Sequence, residues 1–186
     1  MPFEIDISND QPHVRIDTDA LTLAIEKALK IEQVHSAVLS VSIVDNAAIH
    51  RINRDHLQHD FPTDVISFQL DFTRAREDGG ETDQNRPGSS SSSVNPLTKL
   101  PAAGAMIEGE IIASAQMAAE MAAELADSGR WTVQHELTLY VIHGLLHICG
   151  YDDMSPEEKR IMRSRERDIL NSMGLRPTYP GDECCA

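Results

Sequence analysis

Between Val133 and Ile148 the chain is apolar on nearly every side of a helix: Leu137, Leu139, Tyr140, Val141, Ile142, Leu145 and Leu146 leave little polar surface. A helix of that kind is buried, and the rest of the chain must cover it. Its few polar residues, His135, Glu136, His143 and His147 among them, are therefore informative. His143 and His147 are four apart, so they lie one above the other on one helical face. Gly150 follows where the helix would end, and a glycine there can take the left-handed conformation that reverses the chain. The reversal brings Tyr151, Asp152 and Asp153 back towards the two imidazoles. His143, His147 and Asp153 then make a set of two histidines and one carboxylate with a position open to water, the pattern of catalytic rather than structural zinc. A pair of histidines alone is as easily explained by hydrogen-bonded core residues. The full string His-x-x-x-His-x-x-Gly-x-x-Asp is far more specific, because each part has a geometric job. Cys149 points around the helix from the histidine face and reads as a buried thiol.

The chain has 186 residues and a formal net charge of −14. That length suits one domain with a sizeable core. The charge disfavours generic adhesion to nucleic acid or anionic membrane, without excluding a local basic face. No apolar run is long enough to span a bilayer, and the acidic start, Met1 to Asp6, is unlike a signal peptide. Three cysteines, Cys149, Cys184 and Cys185, do not make a disulfide framework. This points to the reducing cytoplasm.

Taken in order, Phe3 to Ile7 alternates like a half-buried strand, and Asp17 to Asp19 offers caps for a helix with Leu21, Ala24, Ile25, Ala28 and Leu29 inward. Ala37 to Val44 reads as a strand and Ala47 to His56 as a short helix. Pro62 introduces a strand from Val65 to Phe68. Thr63 and Asp64 stand at its entrance, where Asp64 either orients a histidine or holds the loop through backbone amides, the commoner use of an Asp after Thr. From Thr73 to Gly104 the composition shifts to Gly, Pro and five consecutive serines, Ser89 to Ser93. Such a stretch cannot offset its ordering entropy and is expected to be a flexible insertion, 73–104, within a single domain spanning 1–186. Met106 to Ala113 is the next strand. A helix from Ala115 to Ala126 is capped by Ser114 and ended by Gly129, and Thr132 caps the histidine helix. Ser155-Pro156-Glu157-Glu158 opens the last helix.

Three separated blocks now invite comparison: Asn53 through Pro62-Thr63-Asp64-Val65-Ile66-Ser67-Phe68, Gly109 to Ser114, and His143 to Asp153. Together they resemble the YbeY family, bacterial rRNA maturation factors described as metal-dependent single-strand endoribonucleases. The resemblance covers almost the whole chain apart from the 73–104 insertion. It implies a zinc-dependent hydrolase that matures the 3′ end of small-subunit ribosomal RNA and serves ribosome quality control. Its partners would be ribosomal RNA and ribosomal proteins, with no membrane and no small-molecule cofactor. The family ends its metal motif in histidine where this chain has Asp153, an accepted zinc ligand that shifts preference slightly towards manganese or iron. Leu57 stands where the family has an arginine thought to help bind or cleave RNA, and Arg54 is close by in sequence. Gly109-Glu110 replaces a Gly-Asp step.

For hydrolysis, zinc would acidify bound water and polarise a phosphate oxygen. Asp64 and His135 are the candidate general bases, and Glu136 and Asp152 candidate partners for the ring nitrogens that face away from the metal. A zinc protease is disfavoured, because the metzincin motif needs a glutamate where this chain has Gly144. A ribosome-assembly factor with little catalysis is the rival from another class. Arg160, Arg163 and Arg167 share one face of the last helix, which reads as a solvated face balanced by Glu158 and Glu166. The expected fold is α+β: a mostly parallel four-stranded sheet with one antiparallel edge, packed by about five helices, with a zincin-like metal-site helix at the centre.

Overall fold

The computed structural model describes residues 3–74, 100–125, 131–177 and 179. Four strands form one sheet in the order β1-β2-β4-β3. β1 (Phe3–Asn9), β2 (Ser36–Val44) and β4 (Ala105–Ser114) run parallel, and β3 (Val65–Arg74) lies antiparallel to β4 at the edge. Among the described residues five α-helices accompany them: α1 (Thr18–Ile31), α2 (Asn46–Ile52), α3 (Ala115–Glu124), α4 (Val133–Ile148) and α5 (Pro156–Ser172). The α+β fold, the mixed sheet and the five helices are those expected.

Strand pleating sorts the side chains. Leu39, Val41 and Ile43 of β2 and Ile107, Ile111 and Ala113 of β4 point to the face that packs with α1, α3, α4 and α5. Alternate residues face the other way. There Val44, Ile66 and Ile112 form a smaller cluster with Ile49 of α2. α4 runs through the larger core with Leu137, Val141, Ile142, Leu145, Leu146 and Ile148 fully buried. Its start is the expected one, since Thr132 accepts from the His135 amide.

β3 extends to Arg74, past the expected end at Phe68. Gln69, Leu70 and Asp71 are exposed and break the alternation. The cause is a bulge between Gln69 and Asp71, after which pairing with β4 resumes as far as Arg74 opposite Ala105. An extra residue of this kind disrupts the pattern without ending the strand. Thr73 and Arg74 therefore belong to the sheet. At the other end of the expected insertion, Ala102 is fully buried in the main core. Residues 75–99 lie outside the described residues, as do Gly129, Cys184 and Cys185. α2 is also shorter than expected, ending at Ile52 and passing into one wide π-type turn, Asn53–Leu57. Such turns mark local insertions in a helix. Here the turn buries Asn53, whose amide donates to the Phe61 carbonyl at 2.8 Å and fixes the loop before β3.

Two glycines set how closely α4 approaches the sheet. A Cβ on Gly144 would stand 3.2 Å from side-chain methyls of both Ile111 and Val65, so the helix nearly touches β3 and β4 there. A Cβ on Gly109 would fall 2.6 Å from Ile148 Cδ1 and 2.9 Å from the Phe68 carbonyl oxygen. The backbone oxygen cannot step aside without disturbing the β3–β4 pairing. We expect Gly109→Ala to destabilise the fold by about 1–3 kcal/mol. Urea unfolding of the two proteins checks this, and an unchanged midpoint would contradict the close packing.

Candidate metal centre

His143 and His147 project from α4 with 29% and 30% of their side chains exposed, in contrast to the buried residues on either side of them. Their rings meet edge to face with centroids 4.7 Å apart. α4 stops as the sequence suggested. Gly150 has φ +91°, its amide donates to the His147 carbonyl, and the Tyr151 amide donates to the Leu146 carbonyl. These paired bonds are a Schellman stop, which needs the left-handed residue that glycine tolerates. The returning chain places Asp153 Oδ1 4.0 Å from His147 Nε2. One ligand atom from each of His143, His147 and Asp153 lies within 4.8 Å of the others, making a group able to hold a metal ion.

The hydrogen bonds fix which nitrogens face that point. His143 Nδ1 bonds Glu166 Oε1 at 2.6 Å, and His147 Nδ1 bonds the Tyr151 carbonyl at 3.1 Å. Both partners only accept, so each Nδ1 carries a proton and each neutral ring turns a bare Nε2 inward. The two Nε2 atoms are 3.1 Å apart. Two lone pairs at that distance repel unless a proton or a cation sits between them. Two nitrogens each ~2.0–2.1 Å from a tetrahedral ion stand ~3.3 Å apart, so the donor set fits a divalent metal. Burial disfavours charge on His143, but the hydrogen bond and charge of Glu166, with Asp64 and Asp153 nearby, outweigh it and hold its pKa above the ordinary value.

The partners of the ring nitrogens are not the expected ones. Glu136 lies further up α4, where its carboxylate accepts from Trp131 Nε1 and bonds Tyr140; burial pushes its pKa up despite those bonds. Asp152 accepts from the Asp153 amide and so shapes the turn. The residue that reaches His143 is Glu166, 23 positions along the chain on α5. Nothing local in the sequence pairs it with His143; only the packing of α5 against α4 does. The Tyr151 hydroxyl donates to buried Glu32 at 2.8 Å, and Glu32 also takes Arg165 Nη2 at 2.6 Å. This buried pair ties the turn after α4 to α1 and α5.

The site opens into a cleft of about 550 Å³. Met117, Met121, Leu139 and Met162 give it an apolar wall, while Asp64, Glu136, Lys159 and Arg163 are among its polar residues. Asp64 is thus in the same cleft as His143 and Asp153. Its Oδ1 accepts from Thr63 Oγ1 and from the Val65 amide, and its carbonyl takes the Ser114 amide, so loop and sheet together hold it there. His135 is elsewhere. Its Nδ1 accepts from the Thr132 amide in the capping box of α4, and it does not line the cleft. Leu57 is 43% exposed and does not line it either. Arg54 contacts only its neighbour Asp55, at 3.3 Å, among the described ion pairs.

The basic face of α5 also differs from expectation. Glu158 caps its own helix and Glu166 is buried against His143, and neither forms a described ion pair with Arg160 or Arg163. Instead Arg163 and Arg167 lie over the ring of Tyr179, 5.1 and 4.9 Å from its centroid. The Tyr179 hydroxyl donates to Glu166 Oε2 at 2.6 Å. Burial, then the charge of Glu166, pushes that hydroxyl's pKa up, so it stays a donor.

Known proteins resemble this chain over most of its length. The profile of the family described as Endoribonuclease YbeY matches residues 6–174. Proteins carrying that name include one from Rhodopirellula baltica, 35% identical over 84% of this chain, of whose length the chain spans 64%, less than two thirds. One from Salinibacter ruber is 32% identical over 92% of this chain and 93% of its own length. One from Geobacillus thermodenitrificans is 36% identical over 92% and 94%. A solution structure from Thermotoga maritima aligns over 98% of this chain and 99% of its own, at 20% identity and a TM-score of 0.48.

Metal uptake must displace the proton that His143 holds more tightly than an ordinary imidazole. Affinities from binding isotherms at a series of pH values should rise with pH and level off, with the midpoint of that break above pH ~6.5. Glu166→Gln removes a charge that raises this pKa, so it should move the midpoint down. A midpoint unmoved by that change would show that Glu166 does not set the protonation of His143.

Proposed function

The chain belongs to the YbeY family of endoribonucleases, and we propose that it is a zinc-dependent hydrolase of single-stranded RNA. Its proposed target is the 3′ end of small-subunit ribosomal RNA, in rRNA maturation and ribosome quality control, in the cytoplasm and in company with ribosomal proteins. The observation that carries the reading is the convergence of His143 Nε2, His147 Nε2 and Asp153 Oδ1 beside a cleft. His143, His147 and Asp153 hold the ion. Zinc bound there supplies a Lewis acid, which acidifies water and stabilises charge developing on a phosphoryl oxygen.

The chain's own residues supply the rest. Glu166 and the Tyr151 carbonyl keep both imidazoles turned with Nε2 inward, the usual task of groups behind a ligand histidine. Asp64, held in the cleft by Thr63, Val65 and Ser114, would accept a proton from the attacking water. Lys159 and Arg163 have no carboxylate partner among the described residues and line the same cleft. They give a backbone phosphate a cationic rim in a chain that is acidic as a whole. The apolar methionines and leucine of the same cleft can take a base, a combination suited to single strands. Gly144 packs against Ile111 and Val65 where a protease would carry its catalytic glutamate.

Cleavage of an end-labelled ribosomal RNA 3′-end precursor by zinc-loaded protein tests the reading, with His147→Ala purified in parallel. The native protein is expected to cut and the variant to lose at least about 100-fold of the rate. Equal activity in both, or none in either, overturns the nuclease reading. A zinc-held ribosome-assembly factor would then be favoured, as Leu57 in place of the family arginine would suggest. The cationic rim has its own test. In the His147→Ala background, Arg163→Gln should weaken binding of a fluorescent single-stranded RNA and reduce the slope of log affinity against log salt by about 0.7. An unchanged slope would remove Arg163 from the phosphate contacts.

A further inference from the structure

Tyr179 lies beyond residues 6–174, the part of the chain that the family profile covers. It belongs to no helix or strand, yet it is only 8% exposed and forms part of the cleft wall. Its hydroxyl donates to Glu166 Oε2 at 2.6 Å, while Oε1 of the same carboxylate holds His143 Nδ1, also at 2.6 Å. The Glu166 side chain is 3% exposed, so water does not compete for either oxygen. The terminal torsion of a glutamate is broad. A carboxylate held through one oxygen can swivel, whereas one held through both has its plane fixed. Arg163 and Arg167, stacked on the ring, keep the phenol in place.

We propose that Tyr179 is a positioning residue of the metal centre: by gripping Glu166 Oε2 it sets Oε1 against His143 Nδ1 and thereby aims His143 Nε2 at the ion. This rests on reading His143, His147 and Asp153 as a metal site. Simple core packing would account for the buried ring. It would not require the hydroxyl to close a chain of hydrogen bonds ending on a ligand. A residue past α5 thus reaches back to steady the centre.

The test is a Co²⁺ titration of the full chain, followed by the visible absorption of the bound ion and by competition with a chelator. Native protein, Tyr179→Phe, Glu166→Gln and the double variant are compared. Tyr179→Phe keeps the ring and its arginines and removes only the hydroxyl. It should weaken Co²⁺ binding roughly fivefold, short of the ~10–100-fold that a direct partner of a ligand commands, and alter the shape of the cobalt bands. In the Glu166→Gln background the same change should add less than about twofold, because the path through Glu166 is already altered. Native affinity and spectrum in Tyr179→Phe overturn the proposal, even if that variant melts early, since the hydroxyl would then serve packing alone. An equal fivefold loss in both backgrounds also overturns it. If the native protein takes up no Co²⁺, the metal reading itself fails, and the proposal with it.

Discussion

The candidate metal centre depends on the burial of α4 on almost every side. A helix enclosed by a sheet and three other helices can show a polar side chain only where its neighbours leave a gap. Here the gap is the cleft that Asp64, α3 and α5 border. The close approach of α4 to β3 and β4 at Gly144 and Gly109 fixes the helix in height and rotation. His143 and His147, one turn apart, then have one direction in which to point. The enclosure also makes the site electrostatically costly, because unpaired polar groups in such surroundings lose hydration without recompense. The ring nitrogens of His143 and His147 that face away from the centre are accordingly tied to acceptors.

The ties form two chains of contact. One runs from His143 to Glu166 to Tyr179. The other runs from His147 to the Tyr151 backbone, and from the Tyr151 side chain to Glu32 and Arg165. Both lead into α5, so the packing of that helix governs the orientation of both imidazoles. The partly buried Arg165–Glu32 pair is better understood as a fixing point than as a source of stability, since taking Glu32 and much of Arg165 out of water offsets most of their attraction. The net charge of −14 is no obstacle to an anionic substrate at this cleft. Lys159 and Arg163 are local, and a divalent ion beside them would add its own positive charge.

The parts of this design that could be read from the chain are those governed by periodicity and local stereochemistry. The four-residue spacing of His143 and His147, the left-handed Gly150 and the return of Asp153 need no knowledge of neighbours. The same is true of the caps at Asp17, Ser114, Thr132 and Ser155, each of which accepts from the amide three residues on. β3 was legible only as far as its alternation lasted, and the bulge after Gln69 concealed its second half. The turn at Asn53 was read as more helix because composition does not distinguish an α-turn from a π-turn. His135 looked informative because it shares the buried helix. It lies eight residues from His143, about 12 Å along the axis, and serves the helix end.

The sequence alone therefore determined the fold class, the histidine helix, its stop and the three residues that converge on one point, because each follows from the geometry of adjacent residues. Only the tertiary structure decided that Glu166 rather than Glu136 stands behind His143, that Asp64 shares the cleft, and that Tyr179 reaches Glu166 from past the last helix. Those contacts join residues on separate elements. Their distances are set by how a sheet, a buried helix and α5 pack against one another, and no local pattern encodes that packing.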